Sequence, residues 1–223
     1  MNKIRQKHFI TSLHNSTKRN YLERMINNKV FCMNVASKYD KDYWDGDRKF
    51  GYGGYQYIPG RWKNLAKELI NTYSLNNKSN VLDIGCGKGY LLQELKLLIP
   101  DLKVTGIDIS NYSILNAHPN IKKFLSIHDA RKKLPFEENQ FDLVFSLGAF
   151  HNFILPDLVN SLTEMERVGR QKYLMVESYR DSQELFNLQC WALTAQTFFN
   201  QKEWIWFLDK FYYSGDYEFI FFE

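Results

Sequence analysis

The stretch "VLDIGCGKGY", residues 81 to 90, decides the fold. Val81, Leu82 and Ile84 run into three glycines at alternate positions, Gly85, Gly87 and Gly89, and the leucine-rich "YLLQELKLL" starts at once behind them. Glycine between a strand and a helix permits a tight turn and a close approach of backbone to ligand, while the helix offers free N–H groups. Such a triplet also makes plain turns. Two acids sharpen the reading. Asp83 lies within the strand, and Asp108 ends the next apolar stretch, 19 residues after Gly89, where a carboxylate can accept both hydroxyls of a ribose.

Working outward, "NVLDIG" (80 to 85), "KVTGIDIS" (103 to 110), "KKFLSIHDA" (122 to 130), "FDLVFSLGA" (141 to 149), "KYLMVES" (172 to 178) and the terminal "DYEFIFFE" read as strands, being short, apolar and bounded by turn residues. Whether "FYYS" (211 to 214) is a further strand in a hairpin stays open. Trp62, Leu65, Ala66, Leu69, Ile70 and Tyr73 form one helical stripe. Further helices are expected over 17 to 38, 89 to 99, 157 to 168, 182 to 198 and 201 to 210, the last two on the cap-and-return spacing of Asp181 with Glu184 and Asn200 with Glu203. Strands alternating with helices predict an α/β, doubly wound, mostly parallel Rossmann-like sheet of six or seven strands covered on both faces.

Composition sets the outer bounds. The chain of 223 residues is 44% hydrophobic and 24% charged, long enough for a substantial core and ordinary for a globular protein. Net charge is only +4, weak for a nucleic-acid reader. Part of the excess, Lys3, Arg5, Lys7, Lys18 and Arg19, predicts a basic, loosely ordered arm. No apolar run approaches a membrane span and the start lacks an apolar leader segment, so the expected location is cytoplasmic. Cys32, Cys86 and Cys190 fit neither a disulfide framework nor a zinc site. Aromatic residues, 16% of the chain, concentrate in 43 to 62 and 191 to 222.

The glycine pattern is G-x-G-x-G with Tyr90 at the sixth position, unlike the G-x-G-x-x-G of a dinucleotide site. In "VLDIGCGKGYLLQEL", "GIDIS" and "FDLVFSLGAFHNF", in this order and spacing, the chain resembles the class I S-adenosylmethionine-dependent methyltransferases over roughly residues 60 to 180. The resemblance implies S-adenosylmethionine as cofactor. Asp83, Gly85, Cys86, Gly87 and Gly89 would surround its methionine and ribose part, Asp108 would hold the ribose hydroxyls, and Ile109 would pack on adenine. Asp129 and Ala130 match the position addressing the adenine amino group, and Ser146 and Leu147 the floor beside the sulfonium. The family's usual seventh, antiparallel strand is not clear in the sequence. His151, just past the fourth strand, is the candidate base for a hydroxyl acceptor, with a cap or packing role as the alternative. No acid stands after the fourth strand to hold magnesium before Asp157, and no D-P-P-Y or N-P-P-Y run is present, so neither a metal nor nucleic acid is expected.

Residues 1 to 60 are expected to form an N-terminal extension and lid, and 61 to 223 a methyltransferase domain with a substrate-binding insertion near 179 to 200. The loop "GDRKFGYGGYQYIPGRW" (46 to 62) carries five glycines, including Gly51, Gly53 and Gly54. It would be either a floppy connection or a cover in which Tyr52, Gly53 and Tyr55 meet the cofactor and Tyr57 and Arg61 the acceptor. Arg48 and Lys49 could join Arg61 in neutralising an anionic acceptor, or be solvated charge. Glu177 and Arg180 would contact substrate or pair with each other. The function expected is methyl transfer to a small molecule, at a hydroxyl of a surface-polysaccharide or sugar/phosphate precursor, the former by a resemblance to bacterial methyltransferases of such gene clusters. The alternatives are an RNA or protein methyltransferase, or a non-catalytic cofactor-binding protein. Oligomeric state is open, with a homodimer allowed for.

Overall fold

Short runs of Val, Ile, Leu and Phe become the strands of one sheet in the computed structural model, which describes residues 6–53 and 55–223. The strands are β1 (Asn80–Ile84), β2 (Lys103–Asp108), β3 (Leu125–Ile127), β4 (Phe141–Leu147), β5 (Gly169–Glu177) and β6 (Asp216–Ile220). Among the described residues they form a six-stranded sheet in the order β3-β2-β1-β4-β5-β6, with every pairing parallel.

Successive strand residues point to opposite faces, and both faces are buried. Val81, Val104, Leu143, Phe145 and Tyr173 pack with the helices Lys63–Tyr73, Tyr90–Leu98 and Ser182–Trp191. Leu82, Ile107, Val144, Leu174 and Phe219 pack with Leu155–Val168 and Gln201–Lys210. This two-sided burial is why the strands read as apolar runs rather than alternations. The order reverses between β1 and β4, and at such a switch point the carboxyl ends of the strands open a crevice for ligand.

Several elements differ from expectation. The helix expected over 17 to 38 is two, Tyr21–Ile26 and Lys29–Ala36, broken at Asn28 with φ 47. The helix after Asp181 ends at Trp191. "FYYS" is a turn with Tyr212 at φ 58. The last strand lies parallel to β5, because the helices between them carry the chain back across the sheet.

Residues 6 to 19 are tied down rather than loose; Lys3 and Arg5 lie outside the described residues. Gln6 bridges to Tyr217 on the outer edge of β6. The Glu218 carboxylate, fully buried, accepts the N–H groups of Phe9, Ile10 and Thr11 at 2.7 to 2.9 Å, the Thr11 hydroxyl at 2.8 Å and the Tyr173 hydroxyl at 2.5 Å. Lys7 pairs with Asp216 at 3.5 Å. No helix among the described residues is long and apolar enough to cross a membrane.

Candidate active site

The three glycines after β1 have φ of 81°, 54° and 74°, the left-handed region that side chains avoid. A methyl group on Gly85 would sit 2.6 Å from Ala149 Cβ, and one on Gly87 2.7 Å from the Trp44 ring. Gly89 faces inward to Leu125 and Ile121 and starts the helix. It serves packing, not the cavity wall. The loop is fixed by Gly85 and Cys86 N–H donating to the Ile107 carbonyl at 2.8 and 3.0 Å.

Above this loop is a cavity of about 630 Å³ that Asp83, Gly85, Cys86, Gly87, Asp108 and Ile109 line on one side. Asp108 accepts the N–H groups of Gly87 and Ser110, both at 2.8 Å. Burial raises its carboxyl above the usual range, against the downward pull of those two bonds. Asp83 is raised well above its ordinary value by burial and by Asp108 beside it. Burial, Asp83 and Asp108 together keep the Cys86 thiol protonated. Two buried carboxyls facing one cavity are a natural seat for hydroxyls and a cation. Asp129 and Ala130 line the same wall; Arg131 grips both Asp129 oxygens at 2.8 and 2.9 Å and holds that carboxyl below the usual range.

The described residues of 39 to 53 and 55 to 62 form the roof. Tyr39, Tyr43, Trp44, Tyr52, Gly53, Tyr55 and Arg61 line the cavity, and the rings pack on one another, Trp44 edge-to-face with Tyr55 at 4.6 Å and Tyr43 tilted against Tyr55 at 5.3 Å. Trp44 Nε1 donates to Ser110 Oγ at 2.8 Å and to the Tyr39 carbonyl at 3.0 Å. Beneath it Lys88, buried, pairs with Asp45 at 2.6 Å. The Tyr52 hydroxyl accepts the N–H groups of Leu193 and Thr194 at 2.6 and 3.1 Å, so its ring, not its hydroxyl, is free to meet a ligand. Burial pushes Tyr55 up to about 12. Gly54 lies outside the described residues.

The far end of the cavity is lined by His14, Arg19, His151, Glu177, Trp191 and Phe222. His151 is buried, and burial lowers its pKa against the upward pull of Glu177. Its Nδ1 accepts the Glu177 main-chain N–H at 3.3 Å, and its Nε2 lies 3.4 Å from Glu177 Oε2. That oxygen is buried without a hydrogen-bond partner.

Besides Gly89, three residues expected at the site are elsewhere. Ser146 turns into the sheet and donates to the Ile84 carbonyl at 2.8 Å, leaving Leu147 on the cavity, since strand neighbours point to opposite faces. Tyr57 donates to Glu94 at 2.9 Å and docks the loop on the helix Tyr90–Leu98. Arg180 pairs with Glu184 and, at 2.5 Å, with Glu223, not with Glu177. Trp44, Lys88, Arg19 and His14 escaped the sequence reading of the site; only the density of rings around residue 44 pointed toward any of them.

A model of the methyltransferase domain matches residues 75–216. The chain is 30% identical over 94 residues to malonyl-[acyl-carrier protein] O-methyltransferase of Bacillus anthracis, covering 40% of this chain and 35% of that protein. It is 30% identical over 142 residues to demethylmenaquinone methyltransferase of Thermotoga maritima, covering 64% and 56%. The matches thus span about a third to a little over half of these relatives' length. The solved structure of the YcgJ protein from Bacillus subtilis superposes with TM-score 0.53 at 20% identity, covering 66% of each chain.

Proposed function

The chain belongs to the methyltransferase-domain family, with a class I fold and S-adenosylmethionine as its methyl donor, and from that premise we propose that it methylates a hydroxyl oxygen of a small molecule. The observation that carries this is the roofed cavity of about 630 Å³, a size suited to small ligands and closed above by the aromatic segment. The glycine loop leaves room that a Cβ would fill, and the residues present fit the donor. Asp108 would hold the ribose hydroxyls and Asp83 the methionine ammonium, with Ile109 beside adenine and Asp129 near its amino group. When bound, the donor supplies a methyl group on a positive sulfonium, which leaves as a neutral thioether.

The protein's own part is placement and proton removal. Holding acceptor and donor in line and away from water supplies much of the acceleration. The roof, with Tyr52 and Tyr55, excludes solvent, and the His151–Glu177 pair lies at the end of the cavity left for the acceptor. Arg19 and Arg61 line the same cavity and suit an acceptor bearing phosphate or carboxylate. A sugar-phosphate or nucleotide-sugar precursor of surface polysaccharide is therefore the first acceptor class to try.

Thermal shift with S-adenosylmethionine, S-adenosylhomocysteine and NAD tests the cofactor, and stabilisation by NAD alone would sink the reading. Asp108→Ala should weaken S-adenosylhomocysteine binding at least about tenfold, since a buried charge-assisted contact contributes about 1.5–3 kcal/mol. Transfer of labelled methyl to sugar nucleotides, bulk RNA and cell protein in parallel identifies the acceptor; label found only in RNA or protein refutes the small-molecule assignment.

A further inference from the structure

We propose that Glu177, not His151, takes the acceptor's proton, and that His151 is a positioning residue that accepts the Glu177 main-chain N–H and packs beside its carboxylate. This rests on the reading above that the acceptor atom is a hydroxyl oxygen.

The argument begins with the imidazole. A main-chain N–H can only donate, so His151 Nδ1, facing the Glu177 N–H at 3.3 Å, must be the acceptor nitrogen. The neutral ring then carries its proton on Nε2. Protonating the ring would set an N–H on Nδ1 against the Glu177 N–H, and burial disfavours that charge in any case. The remaining nitrogen, Nε2, lies 3.4 Å from Glu177 Oε2, beside the carboxylate without a hydrogen bond to it. One ring nitrogen is thus occupied by the Glu177 N–H and the other carries the ring's proton, so His151 presents no lone pair to the cavity.

Glu177 has the unoccupied acceptor atom that His151 lacks. It lines the cavity, and its Oε2 has no hydrogen-bond partner although buried. Its main chain is held from two further sides, with its carbonyl accepting from Trp204 Nε1 at 3.0 Å and its strand register fixed against Ile220 of β6. A carboxylate at the end of a rigid strand, its main-chain N–H held by an imidazole, is a pre-organised base. The charged and titratable groups acting on it come from three directions: Arg19, Tyr52 and His151. In the step itself the acceptor O–H bond breaks and its proton passes to Glu177. The electron pair left on oxygen forms the new bond to the methyl carbon, and the C–S pair stays on sulfur.

Two measurements on the intact chain decide this. In the first, histidine nitrogen-15 NMR without donor or acceptor should show two rings as the neutral Nε2–H tautomer from pH 8 to below 6, His151 and His14, whose Nε2 donates to the Phe221 carbonyl and whose Nδ1 accepts from Arg19; His151→Gln should remove one of the two signals and His14→Gln the other. In the second, Glu177→Gln should lower kcat on a hydroxyl acceptor by about 10²–10⁴-fold, with acceptor KM changed only a few-fold. His151→Ala should lower kcat about tenfold with acceptor KM nearly unchanged, because the Glu177 main-chain N–H loses its acceptor; His151→Gln, whose side-chain oxygen can accept that N–H, should restore much of the loss. A His151 protonated on Nδ1 or charged at neutral pH overturns the proposal, as does Glu177→Gln turning over at the wild-type rate. Label transferred only to nitrogen overturns the functional reading instead, and the NMR result then tells whether the pair was read correctly.

Discussion

Replacing Tyr52 by Phe isolates the bond that closes the roof over the cavity. Thr194 Oγ1 gives its own proton to Asn152 Oδ1 at 2.8 Å, so the proton in the 3.1 Å contact between Tyr52 and Thr194 hydroxyls belongs to the tyrosine. The tyrosine oxygen in turn accepts from the main-chain N–H groups of Leu193 and Thr194, residues only 2% and 7% exposed. Phenylalanine keeps the ring contacts with Tyr43 and Trp191 and deletes one acceptor, stranding two buried amides. Each stranded amide costs about 1–3 kcal/mol, so the roof-to-insertion contact should weaken by about 2 kcal/mol or more, a factor of about 30 in its opening equilibrium. Hydrogen exchange followed at Leu193 and Thr194 should accelerate by that factor, and protease cleavage within residues 46 to 57 should rise in parallel. Saturating S-adenosylhomocysteine should restore part of the protection. Wild-type exchange at both amides in Tyr52→Phe would refute the reasoning, because it would mean that the hydroxyl does not hold the segment shut.

Other consequences follow from the same contacts. Glu218→Ala strands three main-chain donors and two hydroxyls inside the protein, so its urea midpoint should fall by the equivalent of at least about 3 kcal/mol. Gly85→Ala combines a left-handed backbone, strained by about 1–2 kcal/mol, with a 2.6 Å approach to Ala149 Cβ; calorimetry should show S-adenosylhomocysteine affinity reduced tenfold or more, and adding Ala149→Gly should recover only the steric part. His14 is lowered to about 4 by burial and by Arg19, while the unfolded chain protonates this residue near its ordinary value of 6.5. Its contribution is therefore complete above pH 6.5 and lost as pH falls from 6.5 toward 4, by about 1–3 kcal/mol after allowance for partial solvent screening. Thermal unfolding at pH 7.5 and 5 should show that loss, and His14→Gln should flatten it.

The amino-acid sequence by itself determined the central sheet, the glycine loop and the acid after the second strand. Those features are local: a run of Val, Ile and Leu ending in Gly85-Cys86-Gly87 allows few outcomes other than a strand, a left-handed turn and a helix. The capping box of Asn200 and Glu203 was legible for the same reason, being complete within four residues. Tertiary structure alone decided which polar groups meet. Glu218 reads as one acid in a terminal strand until Phe9, Ile10 and Thr11, more than 200 residues away, bring it their amides. Lys88 reads as a surface lysine until Asp45 crosses to it. Arg180 lies three residues from Glu177 yet pairs with Glu184 and Glu223. His151 looked like a base because its residue type and place after β4 suit one, but a ring's free nitrogen is set by what donates to the other, and that donor is the backbone of the next strand. A side chain's chemistry is written in its residue type. Its partner is fixed only when folding removes water and leaves one geometry in which each buried donor finds an acceptor.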